Sequence, residues 1–129
     1  MTHKLPIRVY YEDTDMGGIV YYANYLRYIE RARSEWVREL GIDQRAMKEE
    51  DGVVFVVRRV EADYLAPAKL DDLLVVETET VQLTGVRWIL EQKVKRDEDV
   101  LFQAVVTVVM MTETGHPARM PAHIRQRVH

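Results

Sequence analysis

The chain contains no cysteine. Disulfides, thiolate metal sites and cysteine nucleophiles are therefore excluded, and the composition suits a reducing compartment such as the cytoplasm. Serine occurs once, at Ser34. It falls inside a charged segment with no histidine beside it, so a serine nucleophile would lack its base. The four histidines are His3, His116, His123 and His129. All lie in terminal or irregular segments and none forms a His-x3-His spacing, so they are expected at the surface, with no metal bound. A basic excess is also missing. The formal net charge is -3, which argues against nucleic acid as a partner. No run approaches the roughly 18 apolar residues of a membrane span. The opening MTHKLPIRVYYED has no long apolar run and no cleavage-type segment, so it does not read as a secretory signal. Internal repeats, low-complexity tracts and linkers are absent.

What is present is the composition of an ordinary soluble protein: 129 residues, 47% apolar and 30% charged. One domain, residues 1–129, is the expectation. Its organising stretch is Arg8 to Gly41. Leu5 to Tyr11 is rich in β-branched and aromatic residues and predicts a strand. Glu12 to Gly18 is an acidic, glycine-bearing turn. From Tyr22 the apolar period becomes helical, with Tyr22, Tyr25, Leu26, Ile29, Ala32, Trp36, Val37 and Leu40 on one face. Arg27, Arg31, Glu35 and Arg38 take the other face, with Arg31 and Glu35 spaced to pair. Gly41 marks the stop. Asp43 is placed to cap a short second helix, Asp43 to Glu49.

After Gly52 the pattern is β throughout. Val53 to Leu65 predicts a long strand ended by Pro67. Leu73 to Leu83 and Val86 to Arg96 alternate on either side of a Thr84-Gly85 hairpin. Val100 to Met111 is the last strand, followed by an irregular tail. The order is β-α-β-β-β-β. Short turns make neighbouring strands antiparallel, so an α+β domain follows, one long helix lying on a five-stranded antiparallel sheet. Val53–Val57 and Val105–Met111 are apolar on both faces, more than one helix can cover. A homo-oligomer is expected, a dimer or tetramer.

The chemistry centres on Asp15. Asp13-x-Asp15-x-Gly17-Gly18 opens like a calcium loop but fails at its fifth and twelfth positions, Gly17 and Asn24. No Gly-Lys-Ser/Thr follows the glycines, so it is no phosphate loop. What remains is a carboxylate a few residues before a helix N-terminus. The first turn of a helix offers unpaired N–H groups and a positive dipole end, which suit a carbonyl oxygen becoming an oxyanion. A carboxylate ionised at neutral pH suits a base or nucleophile. Acyl transfer to water is the favoured class. On spacing alone a plain turn-and-cap cluster is the commoner arrangement, since Asp, Thr and Gly are the residues turns use.

The stretch resembles the active-site segment of the 4-hydroxybenzoyl-CoA thioesterase family, with the hot-dog fold, and more narrowly the Tol-Pal-associated acyl-CoA thioesterases of bacteria. The matching positions are Arg8, Val9, Thr14, Asp15, Gly18, Ile19, Val20, Tyr25, Glu30 and Arg31 to Arg33, then Tyr64 to Ala68 with Asp72, and Pro117 to Pro121. Many relatives carry His where this chain has Tyr22. The resemblance implies a hot-dog sheet wrapped around the long helix and hydrolysis of an acyl-CoA thioester without a cofactor. It implies Asp15 as nucleophile or general base, the Tyr22 backbone N–H as oxyanion donor, and Tyr11 as a residue that helps position the site. It also implies Coenzyme A lying across a subunit boundary, its phosphates met by basic side chains. The candidates are Arg58, Arg59, Arg87, Lys93 and Lys95, with Arg87 the chosen one. Glu30 and Arg33 match the pattern but read better as ion pairs anchoring the helix, and Tyr11 reads equally as a half-buried strand tyrosine. The competing function is a non-catalytic acyl-CoA or acyl-carrier-protein binding module, which the Tyr22 exchange favours. A dehydratase would need a histidine on the helix segment, and none lies between His3 and His116. A purely structural oligomer leaves the Asp15–Gly18–Val20 match unexplained.

Overall fold

The structure is a computed structural model and describes residues 1–128. Its strands are β1 (Thr2–Arg8), β2 (Val53–Tyr64), β3 (Leu73–Leu83), β4 (Trp88–Arg96), β5 (Asp99–Thr112) and the two-residue β6 (Pro117–Ala118). The helices are α1 (Asn24–Glu39), α2 (Gln44–Ala46), which continues into a wide turn over Met47–Asp51, and α3 (Ala122–Arg125). The sheet is antiparallel in the order β1-β3-β4-β5-β2, and β6 pairs with the end of β5. The five strands and long helix match the expected order. The sixth strand and α3 fall in the tail that sequence reads as irregular.

Period-two patterning decides which sheet face meets α1. Leu74, Val76 and Thr78 of β3 point inward, as do Trp88, Leu90, Gln92 and Val94 of β4, while Glu77, Glu91, Lys93 and Lys95 alternate outward. From the helix, Tyr25, Tyr28, Ile29, Ala32, Trp36 and Val37 are buried against them. Tyr25 stacks on Phe102 at 5.1 Å and Trp36 lies 5.6 Å from Trp88 between ring centroids. Two inward positions are polar, and each is satisfied. Gln92 Nε2 donates to the Ile29 carbonyl at 2.9 Å and to Thr78 Oγ1 at 3.0 Å, while Gln92 Oε1 accepts from Arg33 at 2.9 Å. This polar clasp fixes how α1 sits on the sheet. Asp43 caps α2 as expected, accepting from the Arg45 and Ala46 N–H groups.

Several expectations are corrected. β1 begins at Thr2 and stops at Arg8, so Tyr11 is not in a strand. It opens a 3-10 turn, Tyr11–Asp13, and is 82% exposed. The strand stops because the next residue, Val9, turns its N–H to the Asp72 carbonyl and its own carbonyl to the Asp71 N–H, off the regular β1–β3 ladder. The helix starts at Asn24 rather than Tyr22, and Leu26 is exposed. His3 is buried, 8% exposed. Strand β1 carries it under the end of α1, where Nε2 meets Glu39 at 3.0 Å and the ring stacks on Trp36. His116 and His123 are exposed, and His123 reaches Asp51 at 3.1 Å. His129 lies outside the described residues. The expected Arg31–Glu35 pair does not form. Glu35 pairs with Arg38, and Arg31 sits over the Tyr28 ring at 6.0 Å. Nor do Glu30 and Arg33 pair with each other as anchors: Arg33 bonds Gln92, and Glu30 accepts from Ser34.

Candidate active site

The segment between β1 and α1 folds back on itself. The Asp13 carbonyl accepts the Tyr21 N–H at 3.0 Å and Asn24 Nδ2 at 2.8 Å, which ties the start of α1 to the end of the 3-10 turn. Between these ties, Thr14 pairs with Val20 and the Asp15 N–H donates to the Ile19 carbonyl at 2.9 Å. Asp15 therefore heads a tight reversal. Its carbonyl accepts the Gly18 N–H at 3.0 Å, and its Oδ1 accepts the Gly17 N–H at 2.9 Å. Gly18 takes φ 76°, a left-handed turn that strains any residue with a Cβ. Asp15 is exposed, and among the described residues its Oδ2 has no hydrogen-bond partner. The turn-and-cap reading is thus half true. One carboxylate oxygen closes the turn and the other is left over.

Beyond the reversal stands the open end of α1. The N–H groups of Tyr22 and Ala23, in the turn just before α1, have no acceptor among the described residues. The Tyr22 side chain is 61% exposed and leans on Tyr21 and Tyr64, with ring centroids 4.9 and 6.0 Å away. Together with Ile19, Val20, Tyr25, Leu65, Ala66 and Pro67 it lines an apolar pocket of about 290 Å³. Burial raises the pKa of Tyr25 and of Tyr64, and burial followed by the Asp13 carboxylate raises that of Tyr28. These three phenols stay protonated at neutral pH and cannot serve as bases.

Tyr11 is in the same segment, four residues before Asp15, with its exposed ring clear of the Tyr22 pocket. Arg87 lies elsewhere. It borders an open apolar groove of about 610 Å³ together with Arg58, Arg119, Val56, Val86 and Met111. None of these three arginines pairs with an acid among the described residues, whereas Arg59, Lys93 and Lys95 are engaged by Glu61, Glu91 and Glu77. Sequence reasoning missed Arg119. The Met120 N–H donates to the Gly85 carbonyl at 2.8 Å, so the tail crosses the hairpin. The Arg119 guanidinium packs where a side chain at Gly85 would stand. Its signal was present in the Pro117 to Pro121 motif. Within one chain the groove and Asp15 are far apart. Val57 in the first half of β2 borders the groove and Tyr64 at its end borders the Tyr22 pocket, about 23 Å apart at strand rise.

Among the described residues no three His, Asp or Glu side chains are placed to hold a metal, and no helix is long and apolar enough to cross a membrane. The architecture is that of the hot-dog α+β fold, with Asp15 and the start of α1 joined by one folded-back segment. Residues 9–128 match the thioesterase-like superfamily. The chain is 43% identical over 128 residues to the acyl-CoA thioesterase YbgC of Haemophilus influenzae, covering 98% of this chain and 93% of that one. It superposes on the crystal structure of a probable thioesterase from Bartonella henselae with a TM-score of 0.89 at 37% identity, covering 94% of this chain and all of that one. A 4-hydroxybenzoyl-CoA thioesterase complexed with 4-hydroxybenzoyl-CoA shares the fold at a TM-score of 0.90 and 21% identity, covering 99% of each chain. The chain belongs to the thioesterase-like superfamily and is an enzyme of the thioester-hydrolase class.

Proposed function

We propose that the protein hydrolyses acyl-CoA thioesters, with Asp15 as general base or nucleophile and the Tyr22 backbone N–H as the donor to the developing oxyanion. The observation that supports this reading is that one folded-back segment carries both a free Asp15 Oδ2 and an unpaired N–H at the mouth of α1, with an apolar pocket at Ile19, Val20 and Tyr22. As a base, Asp15 takes a proton from water as it attacks the thioester carbon. The oxyanion of the tetrahedral intermediate accepts the Tyr22 N–H, aided by the helix dipole. The C–S bond then breaks and the leaving thiolate takes up the proton. As a nucleophile, Asp15 would form a mixed anhydride that water then cleaves. Neither route uses the side chain at position 22, so Tyr22 in place of His leaves the oxyanion donor intact. Tyr11, exposed on the 3-10 turn, could act only by closing over bound substrate.

Arg87, with Arg58 and Arg119, is assigned to the phosphates of Coenzyme A. Edge strand β2 is exposed from Val57 onward, and it carries Val57, Val60 and Tyr64 to solvent, with Leu65 just beyond its end. Two copies pairing antiparallel along β2 would cover this edge. They would also bring the arginine groove of one copy toward the Tyr22 pocket of the other, so the homo-oligomer completes the site.

The test is thiol release from short-chain, long-chain and 4-hydroxybenzoyl-CoA. Turnover on any of these establishes the enzyme and names its acyl class. Binding of all three without turnover above background would replace this reading with the binding-module one. In the same assay Arg87→Ala is expected to raise KM about tenfold with kcat nearly unchanged, the signature of a contact equal in ground and transition states. The difference should shrink as salt is added. An unchanged KM at low salt would remove Arg87 from the site.

A further inference from the structure

The turn that carries Asp15 has no apolar anchor of its own, since Asp15, Met16, Gly17 and Gly18 are all exposed. What holds it is a series of contacts that begins at the end of β4. Arg96, the last residue of that strand, donates to Asp72 Oδ2 at 2.8 Å and reaches the Pro67 carbonyl at 3.4 Å. The same Asp72 oxygen accepts the Lys69 N–H at 2.8 Å. These bonds close residues 67–72 into a compact loop. At its centre Ala68 is fully buried. Its N–H donates to the Tyr25 hydroxyl at 3.0 Å, and its carbonyl accepts the Val20 N–H at 2.9 Å. Lys69 also pairs with Ile19. Ile19 and Val20 are the return limb of the Asp15 reversal, and Tyr22 follows two residues later.

We propose that Arg96 and Asp72 are positioning residues for thioester hydrolysis. Their ion pair closes the 67–72 loop, and the loop, through Ala68, holds Ile19 and Val20 between the Asp15 carboxylate and the Tyr22 N–H. The inference rests on the roles given to Asp15 and Tyr22 above. Neither Arg96 nor Asp72 borders the Tyr22 pocket, so they act only through the loop. The spacing of base and donor needs such a brace, because a displacement of about 1 Å costs about a hundredfold in rate. Burial works to raise the Asp72 pKa, but the Lys69 N–H and the Arg96 guanidinium outweigh it and hold the carboxyl below its ordinary value. The pair is therefore charged at neutral pH. Both acceptors meet the same nitrogen, Nη1, so a lysine ammonium that reaches Asp72 keeps the charge and part of the bonding.

The experiment compares wild type with Arg96→Met, Arg96→Lys and Asp72→Asn in steady-state thiol release and in amide hydrogen exchange. Arg96→Met is expected to lower kcat about ten- to hundredfold with KM within about twofold, and Arg96→Lys to restore part of the loss. In Arg96→Met and Asp72→Asn the bonded amides of Val20 and Ala68 should exchange faster, while those of central β3, β4 and β5 stay as in wild type. Wild-type exchange at Val20, or unchanged kcat in Arg96→Met, overturns the proposal. Faster exchange across the whole sheet in both variants also overturns it, because the pair would then hold the fold rather than the site. A wild type that releases no thiol from any acyl-CoA defeats the catalytic reading instead. The link from the ion pair to the Asp15 turn is then decided by the exchange alone.

Discussion

Asp15→Asn is expected to lower thioester hydrolysis about a thousandfold and leave the fold unchanged. The reason for choosing Asn lies in the two oxygens of Asp15. Oδ1 closes the turn by accepting the Gly17 N–H, and the amide oxygen of Asn accepts the same bond. Oδ2 is the free one, and its replacement by NH2 removes the base or nucleophile while adding no bulk. General-base catalysis is worth about 10²–10⁴-fold, and the helix-end donor remains to supply the residual rate. The check is kcat on the best acyl-CoA of the panel, beside circular dichroism and a melting curve. Asp15→Ala is a poorer control, since it also opens the turn. A variant that keeps more than about a tenth of the wild-type kcat lies below the range for a catalytic base and would remove Asp15 from the chemistry.

Gln92→Leu is expected to destabilise the fold by about 3–5 kcal/mol, a large part of the roughly 5–15 kcal/mol that holds a domain together. Leucine fills nearly the same space, so cavity formation contributes little. The loss is polar. The Ile29 carbonyl and the Thr78 hydroxyl lose a donor, and Arg33 loses its acceptor. Arg33 is the costly one. Burial pulls its pKa below the ordinary arginine value, with the Glu30 charge opposing the shift, so the site already penalises its charge. Removing its acceptor leaves the guanidinium without that hydrogen bond and with only the Glu30 charge to offset its burial. Urea unfolding at neutral pH measures the effect as a lower midpoint with unchanged slope. A Gln92→Leu protein as stable as wild type would mean that α1 is held by apolar packing alone. The double variant Gln92→Leu/Arg33→Leu should recover part of the loss, because the unpaired charge leaves with its partner.

The elements most legible in the sequence are those whose own residues carry a period. The step of three and four from Tyr25 to Val37 gives α1, and alternation gives β3 to within a residue, since neither needs a distant partner to be recognised. The Asp15 site was legible for a related reason. Carboxylate, glycines and helix start lie within ten residues of each other, so local geometry places them together. Other parts depended on distant segments. Tyr11 falls outside β1 because Val9 bonds Asp71 and Asp72, some sixty residues away. His3 is buried because β1 passes beneath Trp36 and Glu39. Arg33 chooses Gln92 over the nearby Glu30 because the sheet brings an amide to that face of α1.

The sequence by itself therefore determined the hot-dog order of strands and helix and the placement of one acid before a helix end. Period and turn chemistry are local properties, readable without a distant partner. Only the tertiary structure decided which oxygen of Asp15 is free and which N–H groups are left open beside it. It also decided that Arg119 joins Arg58 and Arg87, and that the Arg96–Asp72 pair closes the 67–72 loop that bonds the Asp15 segment at Val20. Each of these follows from a hydrogen bond or close contact between segments far apart in the chain, and such a bond has no period for a sequence to display.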